Sequence, residues 1–343
     1  MQKKLIALAI AGLISGGVFA ADNSVTVYGS FDAGLRNLSN SNAAGQSLTS
    51  MDSSGTYHSN RLGFKGVEAL GNGQNAHFDL ESGFTSGSGT LAGNLWGRTA
   101  SVGLGGSWGS LDLGRQYTTI FQVASAYDPF NYKYTGIVPV SALDGTRRNN
   151  DIQYTGTFGA VTARLEHALG QVAGSTAAGS TTEGGLSYDN GPLSLGAAYA
   201  TEKDATNTLT KNYWTVGGAY KTGPLRVALG YGDNKADQLS GTNGETKNWW
   251  LGGSYAMTPA AALTVAYYDT KTSNLVVATT NPLGIEGQTK LFMLGGTYSL
   301  SKRTTLYAGV DHHNLEGSSV LGYGTAQTQG SQTGVSVGID HAF

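Results

Sequence analysis

Hydrophobic and polar positions alternate with a period of two along most of the chain. Near the end, Val335, Val337, Ile339, His341 and Phe343 fall on one face, and Gly334, Ser336, Gly338, Asp340 and Ala342 on the other. Successive strand side chains point to opposite sides, so this segment reads as a strand with an apolar face backed by a polar or small one. Leu225, Val227, Leu229 and Tyr231 alternate in the same way with Arg226, Ala228 and Gly230, as do Leu306, Ala308 and Val310 with Tyr307 and Asp311. Helical spacing fits none of these stretches better, and glycine-rich segments with many Thr and Tyr are poor helix formers.

The second half contains an internal repeat. Trp214-Thr-Val216-Gly-Gly218-Ala-Tyr220, Trp249-Trp-Leu251-Gly-Gly253-Ser-Tyr255 and Phe292-Met-Leu294-Gly-Gly296-Thr-Tyr298 superpose position for position. Each puts aromatic, aliphatic, Gly and Tyr on one face. The other face carries Thr, Gly, Ala and Ser, apart from Trp250 and Met293. Tight turns follow each Tyr, at Lys221–Pro224, Met257–Pro259 and Leu300–Lys302, and long polar segments occupy the opposite ends. Extended over the chain, this template predicts sixteen strands. They start near Ser24, His58, Asn75, Asn94, Gly109, Arg147, Ala160, Glu183, Pro192, Lys211, Pro224, Glu245, Ala261, Gly287, Arg303 and Ser331.

Alternating segments of about ten residues, joined by short turns on one side and long loops on the other, are the signature of an outer-membrane barrel. Aromatic residues bracketing the apolar face match the girdles that sit at headgroup level. The expected fold is therefore all-β, a 16-stranded antiparallel transmembrane β-barrel with both termini on the short-turn side. A soluble sandwich would not need aromatics at both ends of one face.

Charge and composition narrow the class further. Lys3 and Lys4 precede an apolar run from Leu5 to Ile14, followed by small residues up to Ala20. That is the layout of a secretory signal, with cleavage expected between Ala20 and Ala21, and the apolar run is too short to span a bilayer. The predicted organisation is a signal peptide over residues 1–20 and one barrel domain over 21–343. The charged fraction of 13% is about half that of soluble domains, and glycine, at 52 of 343 residues, is about twice the usual share. A formal charge of −2 argues against a nucleic-acid partner, and the absence of cysteine excludes disulfides and thiolate sites.

Sixteen strands leave an aqueous channel where smaller barrels fill their lumen with side chains. A channel needs a constriction. Gln116 to Thr146 form a loop containing Tyr117, Phe121, Tyr127, Phe130, Tyr132 and Tyr134. A loop so long and aromatic is expected to fold into the barrel and pack on its inner wall.

The chain resembles the general porins of Gram-negative outer membranes, in their β-proteobacterial branch. The resemblance is carried by Val25-Thr-Val-Tyr-Gly29, Ser59-Asn-Arg-Leu-Gly-Phe-Lys-Gly66, Leu111-Asp-Leu-Gly-Arg115, Asn149-Asn-Asp-Ile-Gln-Tyr154, Tyr188-Asp-Asn-Gly-Pro192, Leu300-Ser-Lys-Arg-Thr304, Ser331-Gln-Thr-Gly-Val335 and Gly338-Ile-Asp-His-Ala-Phe343. It implies a homotrimer of 16-stranded barrels embedded in lipid and lipopolysaccharide, with the third loop folded inward, passing small hydrophilic solutes and inorganic ions. It also implies that Phe343 is the signal read by the outer-membrane assembly machinery.

Alternation places Arg61 and Lys65 in the lumen, because Leu62 and Phe64 face the other way and an arginine at the lipid midplane costs ~2–4 kcal/mol. Arg147 falls in phase with Asp151 and Gln153, whereas Arg148 falls in phase with Ile152 and Tyr154. Arg98 shares parity with Ala100, Val102 and Leu104, so either a bulge resets its phase or it lies above the membrane band. The resemblance implies that Arg61, Arg98 and Arg147 form an arginine cluster on the pore wall, opposed by Glu81 and, on the inward loop, Asp128. Rings of cations favour anions, so three arginines and Lys65 against two carboxylates predict weak anion selectivity, reduced by ionic screening. Lys133 and Asp144 on the long loop can move that balance either way.

No enzyme, cofactor or metal is expected. The sequence has no Gly-x-Ser-x-Gly, His-Glu-x-x-His or Walker pattern, and alternation sends His312 and His313 to opposite faces. An outer-membrane hydrolase would need Ser, His and an orienting carboxylate together on one rim. A structural or adhesive barrel with a closed lumen is the other alternative.

Overall fold

The fold was established from a computed structural model, described here for residues 23–51, 54–134, 136–139, 145–275, 285–317 and 329–343. The expected signal segment and Asp144 lie outside the described residues. Strands run in chain order as β1 (Ser24–Leu38), β2 (Leu48–Met51), β3 (Arg61–Gly71), β4 (Gln74–Gly83), β5 (Thr99–Gly106), β6 (Gly109–Tyr117), β7 (Arg147–Phe158), β8 (Val161–Ala168) and β9 (Thr181–Asn190). They continue as β10 (Leu193–Lys203), β11 (Thr210–Thr222), β12 (Leu225–Ala236), β13 (Gly244–Ala256), β14 (Ala261–Leu275), β15 (Ile285–Ser299), β16 (Thr304–Gly317) and β17 (Ser331–Ala342). All neighbours are antiparallel, and β1 pairs with both β3 and β17, so the sheet closes on itself.

Sixteen of these strands form the barrel. The four-residue β2 is an extra arm folded onto the far end of β1, where Leu35 pairs with Met51. It went unread in the sequence because four residues cannot display a period. The expected starts fall within two residues of the observed ones except at two loop ends: His58 lies before β3, which begins at Arg61, and Asn94 lies before β5, which begins at Thr99. Ser24 and Phe343 lie at the short-turn end, as expected, and Gly29 and Phe343 exchange backbone hydrogen bonds of 3.1 Å that close the seam.

Burial is inverted relative to a water-soluble sheet. Along β17, Val335 and Val337 are 50% and 55% exposed, whereas Ser336 and Asp340 are 2% and 7%. The same inversion holds in the repeats, where Val216, Leu251 and Leu294 face outward and Thr215, Trp250 and Met293 face inward. A chain with apolar residues outside and polar residues inside suits hydrocarbon around a wet interior, and only a closed barrel satisfies all its backbone groups there.

The buried apolar cluster lies inside the barrel. The long loop after β6 forms α1 (Thr119–Ala124) and a 3-10 turn (Ser125–Tyr127), with the Thr118 side chain capping α1 through the Phe121 N–H (3.1 Å). Its Ile120, Val123, Tyr127, Phe130 and Tyr134 pack on Trp250, Tyr268, Leu291, Met293 and Tyr307 of the wall. The inward-folded loop expected from its aromatic content is therefore present.

Candidate functional site: the lumen constriction

The wall is shaped to receive the loop. Gly196 pairs with Gly217 and Gly217 with Gly230, giving a smooth belt across β10, β11 and β12. A Cβ at Gly217 would stand 2.2 Å from the Tyr127 ring, and one at Gly196 would stand 2.8 Å from both Val123 and Tyr127. Farther round, Gly252 lies under Pro129 and Gly295 under Phe130. The first glycine of each repeat thus serves the loop. The inward exception in the second repeat is also explained: Trp250 stacks on Tyr127 (5.8 Å) and its Nε1 donates to the Tyr127 carbonyl (2.8 Å).

Polar pins complement this packing. The Thr119 and Ile120 N–H groups, free at the start of α1, donate to Glu166 (2.7 Å) and Glu183 (3.1 Å). Arg226 donates to the carbonyls of Ala126 (2.7 Å) and Asp128 (3.1 Å). Near the loop tip, the Tyr134 N–H donates to the Tyr57 carbonyl (2.7 Å). Tyr57 and His58 in turn donate their N–H groups to Asp32 on β1 (2.8 and 2.6 Å).

Between the loop and the opposite wall lies a cavity of about 620 Å³, lined among others by Arg61, Arg98, Arg147, Tyr117, His58 and Lys133. The three predicted arginines are brought together. Arg98 Nε donates to Glu81 Oε1 (2.5 Å), and its Nη2 donates to the Tyr117 hydroxyl (2.9 Å). Arg147 Nη2 donates to the same hydroxyl (2.6 Å), with its guanidinium 4.2 Å from the Tyr117 ring centroid. Arg61 Nη1 lies 3.7 Å from Glu81 Oε2.

The open question over Arg98 is settled by its position just outside β5. Thr99 is the ladder partner of Glu81, yet the Arg98 N–H also donates to the Glu81 carbonyl (3.1 Å). The strand phase therefore does not govern Arg98, whose side chain turns into the lumen.

For Arg147 the expected facing is right, but the phase argument is not. The register between β6 and β7 shifts between Gly114 and Gln116, and Asn150 adopts φ 55°. This irregularity gives Arg148, rather than Arg147, the phase of Asp151. Arg148 accordingly faces inward, against the expectation, with ion pairs to Glu183 (3.3 Å) and Glu202 (3.4 Å). Arg147 reaches the lumen because it sits at the strand end, beside Tyr117, where the chain leaves the wall.

Three charged positions are corrected. Glu81 does not oppose the arginines: it lies on β4, next to Arg61's own strand, and neutralises charge on the same wall. Asp128 does not face the lumen either. It is 0% exposed, accepts from the Tyr132 N–H (2.7 Å) and the Tyr268 hydroxyl (2.8 Å), and burial pushes its carboxyl up to about 6. Lys65 faces inward as expected but lines a separate cavity of about 270 Å³ with His77 and Asp79, its Nζ 5.3 Å from the Tyr28 ring centroid.

Sequence reasoning passed over Tyr117 as an arginine acceptor and did not assign Lys133 to the constriction. Tyr117 stacks on Phe121 (4.8 Å), and Phe121 on Tyr132 (4.2 Å), so the aromatic run was the available signal. Lys133 Nζ lies 5.0 Å from the Tyr57 ring centroid. Burial lowers its ammonium to about 8, against the pull of Asp340 and with the push of Arg61. Burial likewise lowers the imidazole of His58, opposed by its contact with Asp340.

Ser30, His58 and Asp340 also meet in the lumen. The His58 Nδ1 is 3.0 Å from Ser30 Oγ and 3.2 Å from Asp340, and Ser30 donates to Asp340. Both contacts use one ring nitrogen. A relay needs a base nitrogen toward serine and a separate N–H toward the carboxylate, so this group is structural. Among the described residues no metal-binding group of three ligands occurs.

A closed sixteen-stranded barrel, apolar outside and narrowed within by a loop facing clustered arginines, defines a channel-forming outer-membrane protein. The chain belongs to the Gram-negative porin family, whose sequence profile matches residues 6–318. It is 31% identical to outer membrane porin protein 32 of Delftia acidovorans over the whole of both chains. It is also 31% identical to an outer membrane porin protein of Bordetella pertussis, covering 67% of this chain and 69% of that one. Among solved structures, an anion-selective porin from Comamonas acidovorans superposes with a TM-score of 0.79 at 27% identity, covering 94% of this chain and all of that one. The protein is thus a porin of the bacterial outer membrane.

Proposed function

We propose that this porin is a weakly anion-selective pore for passive diffusion of small hydrophilic solutes and ions, with Arg61, Arg98 and Arg147 as its filter and no catalytic step. The observation that carries the reading is the charge around the 620 Å³ cavity: three arginines line it, and among the described residues the one carboxylate paired with them, Glu81, neutralises at most one. Cations lining a narrow aqueous passage favour anions. At an effective dielectric near 20, charges ~7 Å apart interact by roughly 2 kcal/mol before screening, enough to bias permeation without blocking it. The relative described as anion-selective has the same sign.

The working unit in this reading is a homotrimer, exported through a cleaved segment over residues 1–20 and inserted among lipid and lipopolysaccharide by the assembly machinery. Support for trimerisation comes from a gap in the aromatic girdle. Outward Trp and Tyr mark β11, β13 and β15 (Trp214, Tyr220, Trp249, Tyr255, Tyr298). On β16, β17, β1 and β3 the large apolar residues exposed outward are aliphatic or Phe, such as Val310, Val335, Val27 and Leu62. A girdle serves the lipid interface, so the arc without one suits contact with a neighbouring barrel.

The test is reversal potential across a KCl gradient with the purified protein in planar bilayers. Wild type should prefer chloride, and the variant carrying R61Q, R98Q and R147Q should move toward cation preference. An unchanged reversal potential at low salt would remove the arginines from the filter.

A further inference from the structure

The aperture carries positive charge on its loop side as well as on its wall. Lys133 belongs to the inward loop, and it lines the same cavity as Arg61, Arg98 and Arg147. The chain around it is tightly wound: Asn131, Tyr132 and Tyr134 all have positive φ, at 50°, 56° and 56°. Such conformations persist where the surroundings over-determine them. Here the surroundings are the Tyr132 N–H bond to Asp128, the Tyr134 N–H bond to Tyr57 and the Lys133 N–H bond to the Phe130 carbonyl (3.0 Å). The Lys133 ammonium lies over the Tyr57 ring, and among the described residues no carboxylate comes within ion-pair distance of it.

We propose that Lys133 is a specificity-determining residue of this pore, supplying the loop-side charge that makes the aperture cationic across its width. This rests on the anion-selective reading and extends it. With Asp128 turned into the wall and Glu81 held by Arg98, a permeating ion passes between the wall arginines and the Lys133 ammonium. Anion preference then depends on the loop as much as on the wall.

The groups facing Lys133 are Asp32 of β1, Asp340 of β17, Arg61 of β3, and Tyr57 and His58 of the preceding loop. A guanidinium does not titrate in the accessible range. Burial pushes the Tyr57 hydroxyl up to about 12 and the His58 imidazole down, so Lys133, lowered to about 8, changes charge between them. Above that point the aperture loses one positive charge.

The experiment compares wild type, K133M and K133R by reversal potential in low-salt KCl gradients, at about pH 6.5 and about pH 9.5. K133M keeps the stem but not the charge, and should roughly halve the chloride-to-potassium permeability ratio at the lower pH. Wild type should fall to the K133M value at the higher pH, and K133R should hold its ratio at both. If K133M matches wild type in reversal potential while wild type prefers chloride, the proposal is wrong and the anion-selective reading stands. A change in conductance or noise alone would make Lys133 a structural residue and overturn it equally. Wild type without anion preference would overturn both.

Discussion

Arg98 and Arg147, from opposite ends of the chain segment that carries the inward loop, donate to a single acceptor, the Tyr117 hydroxyl, at 2.9 and 2.6 Å. One oxygen holds two like charges side by side, and the ring beneath it is fixed by stacking on Phe121. Tyr117, at the end of β6, therefore holds the two arginines of the cavity together.

Replacing Tyr117 with Phe keeps the stack and removes the acceptor. Bonds to charged donors contribute about 1.5–3 kcal/mol each when water cannot replace them, so a cavity open to water should recover much of that. The expected outcome for Y117F is a folded pore with noisier open-channel current and a lower anion preference than wild type. Single-channel recording with reversal potentials checks this, and currents identical to wild type would show that the arginines hold their positions unaided.

The glycine belt predicts a position-specific sensitivity. A methyl at Gly217 would stand 2.2 Å from the Tyr127 ring, whereas one at the outward Gly296 would meet its nearest atom at 3.4 Å. Overpacking of this kind costs about 1–3 kcal/mol. G217A should loosen the loop, raising conductance and its cleavage by protease, and G296A should not. Equal behaviour of the two would mean that the loop is not seated by the belt.

Asp128 gives the loop a pH dependence whose sign is fixed. Its carboxyl is raised from 3.8 to about 6 by burial, so the native state holds the proton more tightly than the unfolded one. Stability from this group is fully present below about pH 4 and is lost as pH rises through about 6. D128N, permanently neutral, should therefore abolish that component. The measurement is the difference in thermal stability between wild type and D128N at pH values from about 4.5 to about 7.5, which should widen in favour of D128N as pH rises.

Phe343 occupies the seam, its ring covering Gly29 and its backbone bonded to that residue. Deleting it should impair insertion into the outer membrane while leaving export across the inner membrane intact. Fractionation of cells distinguishes this from a simple loss of seam stability, which would leave the protein in the outer membrane with a lowered melting point.

The sequence alone determined the barrel. The number of barrel strands, most of their starts and most facings follow from a period of two that each segment shows locally, because hydrocarbon outside and water inside impose opposite chemistry on adjacent residues. Arg61 could be placed in the lumen for that reason, and the loop's aromatic content required an apolar surface to bury it. What lay beyond the sequence was whatever broke the period or met across the lumen. The irregularity at Asn149 and Asn150 exchanges the phases of Arg147 and Arg148, and nothing local announces it. Arg98 escapes the alternation because it stands just outside its strand. Glu81 and Asp128 are both carboxylates near arginines in the reading of the chain, yet closure of the barrel sets one beside Arg98 and turns the other into the wall beneath the loop. Those outcomes depend on how one loop lies against the wall from β8 to β16, and only the tertiary structure brings them into contact.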